Sequence, residues 1–317
     1  MPDLITLGET MVFFAPLSEG PLRYLYQFEK HLGGAESNVA IAFARLGGSA
    51  GWVSKLGDDE FGRYVLNFIR GEGVDTRHVS LDSKHPTGIF FKQRMPDGAV
   101  QVFYYRRGSA ASGLSPEYLD STYFQGAKVF HFSGITPALS ESCFQTVLHA
   151  IEMARTYGLE VSFDPNIRLK LWDAQTARAV LLQLISRSDI ISPSLEECQI
   201  LFGTKDEKKA AAAILSAGAK TALIKLGPKG AYLRTSQGNE FYTPPFNVHK
   251  VVDPVGAGDG FIAGFLYART VGWSLQDAVR LAVTVGALAV TVPGDVEGYP
   301  EMDKVSSLWR DAGVVER

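Results

Sequence analysis

Short apolar runs alternate with longer helical patterns along most of the chain, and this alternation constrains the fold more than any other feature. Predicted strands fall at 4–7, 50–54, 128–133, 160–163, 189–192 and 221–226, and helical patterns between them include 39–46, 141–157, 174–186 and 206–217. Short buried strands separated by helices are typical of parallel sheets. The sequence therefore predicts an α/β protein whose sheet is mostly parallel.

A predicted β-hairpin interrupts the alternation. Thr87–Arg94 and Val100–Arg107 have strand-like patterns, and the segment between them contains the turn signal Pro96-Asp97-Gly98. An antiparallel hairpin inserted in a parallel domain predicts a lid or a sheet edge. Residues Tyr24–Phe28 are a candidate partner strand for it.

The same hairpin predicts self-association. Its apolar stretches Ile89–Phe91 and Val102–Tyr104 would be costly to leave as a bare edge. Because homo-oligomers are most often two-fold dimers, we expect a dimer or a dimer of dimers with the hairpin at the subunit contact. The chain has neither a repeat nor a linker, so one domain over 1–317 is expected, with a β lid formed by about 10–35 and 87–107.

The most distinctive motif is a glycine-rich turn, Asp253-Pro254-Val255-Gly256-Ala257-Gly258-Asp259, between a predicted strand at Asn247–Val252 and a predicted helix at Phe261–Val271. Glycines let the backbone adopt positive φ and approach a ligand closely. The free N–H groups at the helix start would then face an anion such as phosphate. A carboxylate at Asp259 should repel phosphate, so its presence is best explained if it takes a proton from an incoming hydroxyl.

The residues of this turn leave two other interpretations open. Residues 258–263 match the dinucleotide fingerprint G-x-G-x-x-[GA], with Asp277 as the ribose ligand, which would make the protein a dinucleotide-dependent oxidoreductase. Alternatively, Asp259 is only the N-cap of the helix. The Walker A pattern G-x-x-x-x-G-K-[ST] does not occur in the sequence, which excludes P-loop kinases.

Charge and composition narrow the classes of partner. A net charge of −3 argues against nucleic-acid binding, and any anionic substrate must meet a local basic cluster. The sequence shows neither a signal-peptide pattern nor an apolar stretch of bilayer length, so a cytoplasmic protein without membrane contact is expected. The two cysteines, Cys143 and Cys198, are predicted to be reduced and structural. His131 is predicted to be a core residue, since the histidines lack metal-ligand spacing.

Two segments together resemble the signatures of the ribokinase-like (PfkB) carbohydrate kinases. The first extends from Gly33-Gly34-Ala35-Glu36-Ser37-Asn38 to Gly57-Asp58-Asp59-Glu60-Phe61-Gly62, and the second is the glycine-rich turn. They occur in the family's order, and the resemblance covers nearly the whole chain. It implies a ribokinase-like three-layer α/β fold, with helices on both faces of a mostly parallel sheet and a small β lid. It also implies transfer of a phosphoryl group from ATP to a sugar.

The resemblance assigns roles to the turn and to the nucleotide side. Asp259 would be the catalytic base, and the backbone of Gly256, Ala257 and Gly258, continuing to Asp259, would be the anion hole. The residues implied on the nucleotide side are Asn166, Arg168, Ser194, Lys225, Gly227, Gly230, Gly256 and Gly258. The implied cofactors are ATP and Mg²⁺, and a monovalent cation is compatible with the family.

One family motif departs from its usual form. The Asn-x-x-Glu motif, tied to magnesium and phosphate, is here Ser194-Leu195-Glu196-Glu197, so the acid remains at Glu197 while serine replaces the amide. Glu197 is therefore expected to act on the metal only indirectly. The same residues also predict a capping box, in which Ser194 and Glu197 close the start of a helix.

A narrower resemblance, to the 2-keto-3-deoxygluconate kinases within the family, implies that the substrate is 2-keto-3-deoxygluconate. It rests on the hairpin, on Asp164-Pro165-Asn166-Ile167-Arg168 and on Gly294-Asp295-Val296-Glu297-Gly298. The substrate contacts it implies are Gly34, Asn38, Phe90, Tyr104, Arg106, Arg168, Asp259 and Asp295. Phe90 stands where relatives often have tyrosine, which removes a hydrogen-bonding group. The expected product is 2-keto-3-deoxy-6-phosphogluconate.

An argument from charge favours a sugar acid. Strand periodicity places Tyr104 and Arg106 on one face of the hairpin, and Tyr105 and Arg107 on the other. If Arg106 and Arg168 face the substrate, a neutral sugar would leave them without a partner, whereas a carboxylate would pair with them. Fructokinase or ribokinase activity remains the alternative within the class, and a non-catalytic sugar-binding protein remains an alternative outside it.

Overall fold

Most of the predicted strands and helices are found in the computed structural model, which describes residues 1–95 and 100–311. The strands are β1 (Leu4–Leu7), β2 (Met11–Pro16), β3 (Phe28–Gly33), β4 (Ala50–Gly57), β5 (Val79–Asp82), β6 (Ile89–Arg94), β7 (Val100–Tyr105), β8 (Val129–Ser133), β9 (Glu160–Asp164), β10 (Ile190–Ile191), β11 (Thr221–Lys225), β12 (Ala231–Thr235) and β13 (Glu240–Thr243). The helices are α1 (Ala35–Arg45), α2 (Glu60–Gly71), α3 (Ser121–Phe124), α4 (Glu141–Thr156), α5 (Ala174–Ile185), α6 (Leu195–Phe202), α7 (Glu207–Ser216), α8 (Ala257–Thr270), α9 (Leu275–Ala289) and α10 (Met302–Asp311).

Nine strands form the central sheet, in the order β13-β12-β11-β10-β9-β8-β1-β4-β5. Seven of its strands run parallel, namely β11, β10, β9, β8, β1, β4 and β5, and the two strands at the other edge, β12 and β13, are antiparallel. The predicted mostly parallel α/β sheet is therefore confirmed. Parallel strands bring their carboxyl ends to one edge, where ligands of such sheets bind.

Two hydrophobic cores lie on the two faces of this sheet. Successive strand residues alternate between them: Ile190 belongs to the first core and Ile191 to the second. The first core takes its helical residues from α1, α2, α8, α9 and α10, and the second from α3 to α7. This gives the three layers that the family resemblance implied.

A second sheet of four strands has the order β3-β2-β6-β7. The predicted hairpin is its antiparallel β6–β7 pair, and its turn at 96–99 lies outside the described residues. The expectation that Tyr24–Phe28 pairs with the hairpin is wrong. Phe28 starts β3, and β3 pairs with β2, which lies between β3 and the hairpin. β3 is exposed at Glu29 and Lys30, as suits an edge strand, whereas the first half of β2 is buried.

Two further predictions about elements need correction. Asn247–Val252 is not a strand, because the chain leaves the sheet at Pro244-Pro245, whose rings lack the N–H donors of a ladder. The helix after the glycine-rich turn starts at Ala257, four residues earlier than predicted. Strand β5, most of β3, and helices α3 and α10 were not predicted.

The predicted core histidine and cysteines are confirmed. His131 is buried, with Nδ1 3.0 Å from Ser162 Oγ, and burial lowers its pKa to about 3. Cys143 and Cys198 are free and buried. Within 1–95 and 100–311, no helix has both the length and the apolar composition to cross a bilayer.

Candidate active site

A cavity of about 810 Å³ lies between the carboxyl edge of the central sheet and the four-stranded sheet. Three residues at strand ends line it: Glu9, two residues after β1, and Asp164 and Lys225, the last residues of β9 and β11. The second sheet covers it with Phe90, Lys92, Tyr104 and Arg106, whereas Tyr105 and Arg107 do not line it. The site is thus built from chain segments that are far apart in sequence.

The glycine-rich turn forms one end of the cavity. Gly256 caps α8 in the left-handed region at φ 80°, and a Cβ at this position would lie 2.1 Å from the main-chain oxygen of Asp295. Only glycine meets both conditions. The first bond within the helix runs from Gly260 N to Gly256 O at 2.9 Å, so the preceding N–H groups of the turn have no acceptor inside the helix.

Asp259 is the third residue of α8, so its interpretation as the N-cap is wrong. Asn38 Nδ2, in the first turn of α1, donates to Asp259 Oδ2 at 2.8 Å. Burial, and in second place the carboxylate of Asp164, raise the pKa of Asp259 to about 7, although Asn38, Arg168 and Lys225 oppose the shift. A carboxyl group with this pKa can accept a proton near neutral pH.

A buried ion pair joins the nucleotide-side lysine to β9. Lys225 Nζ lies 2.6 Å from Asp164 Oδ2. Burial alone would lower the pKa of Lys225, but Asp164 and Glu197 raise it above its usual range. The same ammonium lies 3.5 Å from the position that a Cβ on Gly258 would occupy, so it reaches the start of α8. Lys225 therefore lies beside the glycine-rich turn, where the sequence predicted an anion.

The segment after β9 supplies polar groups at the cavity mouth. Asn166 has φ 38°, and it is the one non-glycine residue with positive φ in the described ranges. Asn166 and Arg168 both line the cavity, and Arg168 is exposed. Lys170, which sequence reasoning missed, also lines it: Nζ donates to Val102 O at 2.8 Å and lies 5.6 Å from the centre of the Tyr104 ring.

The partner expected for Arg106, a substrate carboxylate, is corrected by the structure. Its guanidinium is buried against Glu9, with Nε donating to Glu9 Oε2 at 2.7 Å, and Ser109 Oγ donates to Glu9 Oε1 at 2.6 Å. Arg106 therefore needs no substrate carboxylate to balance it. The sequence analysis did not single out Glu9 as a site residue; its position just after a predicted strand was the one indication of such a role.

The remaining substrate-side residues all line the cavity. Phe90 stacks on Phe13 and contacts Tyr104, with ring centres 4.9 and 5.4 Å apart. Gly34 is required because a Cβ there would lie 2.5 Å from Glu9 O. Asp295 is buried and paired with Lys92, whose Nζ lies 2.8 Å from Asp295 Oδ1.

Three residues that the resemblance placed at the nucleotide do not line this cavity, namely Ser194, Gly227 and Gly230, and neither does Ala257 of the expected anion hole. Ser194 and Glu197 form the predicted capping box of α6. The two oxygens of Glu197 accept from Ser194 N at 2.7 Å and Ile167 N at 2.8 Å. In the described part of the chain, no three His, Cys, Asp or Glu side chains cluster as a metal site.

The dinucleotide interpretation does not fit the geometry. Its fingerprint needs a strand before the turn, and 247–252 is not one. Asp277 lies in the first turn of α9, where its carboxylate accepts from the N-cap Ser274 Oγ at 2.6 Å, and it does not line the cavity.

The site combines a helix start with free N–H groups, a carboxyl group that can take a proton, and a lysine beside them. These are the groups that phosphoryl transfer to a hydroxyl needs. The chain matches the model of the pfkB family of carbohydrate kinases over residues 1–302. It belongs to this family and is a sugar kinase.

Relatives of known name are similar to this protein over nearly the full chain. The 2-dehydro-3-deoxygluconokinases of Bacillus subtilis (strain 168) and Thermoproteus tenax are 40% and 37% identical to it, over 96% and 98% of this chain and 95% of each relative. A probable fructokinase-4 of Arabidopsis thaliana is 34% identical, over 97% of this chain and 96% of its own.

Two solved structures share the fold. A putative ribokinase II from E. coli, in complex with ATP and Mg²⁺, aligns with a TM-score of 0.91 at 27% identity, over 98% of this chain and 100% of its own. A double mutant of the fructokinase from Vibrio cholerae O395, with fructose, ADP and potassium ion bound, aligns with a TM-score of 0.86 at 28% identity, over 96% of this chain and 97% of its own. The ribokinase-like fold is thereby confirmed.

Proposed function

We propose that the protein transfers a phosphoryl group from ATP to a sugar acid, and that this acid is 2-keto-3-deoxygluconate, also called 2-dehydro-3-deoxygluconate. The product would be 2-keto-3-deoxy-6-phosphogluconate. The names of the two relatives at 40% and 37% identity support this substrate.

The observation that carries the proposal is the charge balance of the cavity. Five cationic side chains line it. Three of them have carboxylate partners, in the pairs Lys92–Asp295, Arg106–Glu9 and Lys225–Asp164. Arg168 and Lys170 form no ion pair with any side chain in the described ranges. A substrate carboxylate near the Tyr104 ring would neutralise them, and Arg168 can bind it through two N–H groups.

The reaction would use the turn and Asp259 together. The acceptor hydroxyl oxygen attacks the γ-phosphorus of ATP while its proton passes to Asp259, and the bond between phosphorus and the bridging oxygen breaks to release ADP. Asn38 orients the Asp259 carboxylate through its 2.8 Å hydrogen bond. The N–H groups from Gly256 to Asp259 would stabilise the charge on the phosphoryl oxygens.

Magnesium would enter with the nucleotide, since the described residues form no cage for it. Mg²⁺ prefers phosphate oxygens and water, and when bound it neutralises phosphate charge. Glu197 directs both oxygens to backbone N–H groups, which fits the indirect role expected of it. Lys225 would contact a phosphate from the strand side.

The test is a panel of acceptors with ATP and Mg²⁺: 2-keto-3-deoxygluconate, its galactonate epimer, gluconate, fructose and ribose. We expect kcat/KM for the keto-acid to exceed that for fructose by about 10–100-fold or more, because charge-assisted contacts to one carboxylate are lost with the neutral sugar. Fructose or ribose used as efficiently as the keto-acid would overturn the substrate, but not the kinase class.

Fructokinase activity is the second candidate. It is favoured by the pairing of Arg106 with Glu9, which leaves one arginine rather than two for an acid, and by the relative named as a probable fructokinase at 34% identity. The same acceptor panel separates the two functions.

We also propose that the outer face of the four-stranded sheet is a subunit contact in a dimer or a dimer of dimers. Phe91 is at the centre of an aromatic cluster there, against Phe14, Phe28 and Tyr105. Tyr105 is 63% exposed, and Phe103, which also borders the cavity, is 39% exposed, so aromatic surface on this face is open to water in one chain. Light scattering at micromolar concentration should give at least twice the mass of one chain. A fully active monomer would contradict this interface.

A further inference from the structure

Lys92 of β6 carries a positive charge from the four-stranded sheet into the base of the cavity. Its side chain is 11% exposed. Nζ lies 2.8 Å from Asp295 Oδ1, 3.5 Å from Asp253 Oδ2 and 4.1 Å from the centre of the Phe13 ring. The ammonium therefore has two carboxylates and an aromatic face as its surroundings, as a bound monovalent cation would.

Both carboxylates belong to segments that hold the glycine-rich turn in place. Asp253 is the first residue of the turn, and its Oδ1 accepts from Val255 N at 3.1 Å. Asp295 contacts the turn from the other side, because its main-chain oxygen lies where a side chain on Gly256 would be. Lys92 is the cation that the two segments share.

The two acids would repel each other without this ammonium. Their side chains are 12% and 6% exposed, so water screens them poorly. Burial raises the pKa of Asp295, and Lys92 lowers it while Asp253 raises it further. Removing one charge from a buried ionic cluster leaves the others uncompensated, and the backbone that carries them must move or the acids must take up protons.

We infer that Lys92 is a positioning residue: its ammonium serves as an internal monovalent cation that draws Asp253 and Asp295 together and so fixes the anion-hole turn while the four-stranded sheet covers the site. The inference rests on the proposed role of the turn in phosphoryl transfer, but not on which sugar is the acceptor. Catalysis then depends on the four-stranded sheet through the charge of Lys92.

The test uses the full-length Lys92→Ala variant, with Lys92→Arg and Lys92→Met beside it, assayed with the best acceptor of the unmutated protein. We expect kcat to fall about 10–100-fold in Lys92→Ala and Lys92→Met, since small displacements of reacting groups cost this much, while the KM values for acceptor and ATP change less than about threefold. Lys92→Arg should retain more kcat than either, because it keeps the charge.

Added cations provide the decisive readout. Ammonium or methylammonium ions should restore part of kcat in Lys92→Ala, where the ammonium position is vacated, and should not restore it in Lys92→Met, where a side chain of similar length fills the space. Lys30→Ala is the matched control on the same sheet: its Nζ lies 3.9 Å from the centre of the Tyr64 ring, outside the cavity, and this variant should keep its kcat.

Three results would overturn the inference. The first is an unchanged kcat in Lys92→Ala. The second is a raised acceptor KM with normal kcat, which would make Lys92 a substrate ligand. The third is a fall in kcat that neither cation reverses, with amide hydrogen exchange in 253–258 as slow as in the unmutated protein. If Asp259→Asn is fully active, the proposed role of the turn fails independently of Lys92.

Discussion

The two ends of the cavity achieve their chemistry in different ways. At the turn end, backbone groups of residues 256–259 and one carboxyl group are held by internal contacts, and the charges around them are paired within the chain. At the mouth, Arg168 and Lys170 extend from a loop without carboxylate partners among the described residues. The paired charges at the turn end do not depend on the acceptor, whereas the two unpaired cations at the mouth favour an acceptor of opposite charge. Mutation should therefore affect mainly the reaction at one end and mainly the specificity at the other, although the charge of Arg168 also opposes the raised pKa of Asp259.

The largest effect should come from the base itself. Asp259→Asn keeps the shape of the side chain but removes its ability to take a proton, so kcat should fall by about 10²–10⁴-fold while the KM values change little. Steady-state kinetics with ATP and the best acceptor measure this. Near-normal turnover would show that Asp259 is not the base and that the reaction at the turn end needs no side-chain base at this position.

The next effect should come from the backbone of the turn. Gly256→Ala combines φ 80° with a Cβ placed 2.1 Å from Asp295 O, so the turn must shift and kcat should fall by about 10²–10³-fold, as when an oxyanion-hole donor is lost. Gly238→Ala is the control, with φ 90° but no atom within 4 Å of the added Cβ. Equal kcat in both variants would argue against an anion hole at this turn.

A smaller and selective effect is expected at the mouth. Arg168→Ala should lower kcat/KM for the sugar acid about 10–100-fold and change that for a neutral analogue much less, which would erase most of the preference for the acid. Lys170→Ala should act in the same direction. Equal losses for acid and neutral acceptors would place Arg168 at the nucleotide instead, and the contrast between the two ends would lose its basis.

The smallest expected effect is a dependence on pH. Asp259 acts as a base only when it is deprotonated, and its pKa is raised to about 7, so activity should be full above this pH and decline below it. At pH 6, one unit below, kcat/KM should be about tenfold lower. A pH–rate profile with a stable sugar acid measures this, and a flat profile through pH 6 would contradict the raised pKa.

Most of the architecture could be predicted because it depends on local patterns. Short apolar runs such as Leu4–Leu7 and Thr221–Lys225 must be buried on both faces, and this sufficed for the parallel sheet. The turn with Gly256 and Asp259 was recognisable because a backbone with positive φ at a helix start needs glycine in any fold, so the glycines mark it in the sequence. The strand predicted at 247–252 failed because the prolines before it, not its own residues, decide whether it joins the sheet.

What the sequence by itself determined is the α/β sheet, the glycine-rich turn with its acid, and the family. Only the tertiary structure decided the charge balance of the site. Glu9 and Arg106 are 97 positions apart, and Lys92 and Asp295 are 203 apart, so no local pattern shows that these charges cancel. The reason is physical: a chain pattern records which groups are present, whereas the energy of a buried charge depends on which group lies within a few ångströms of it.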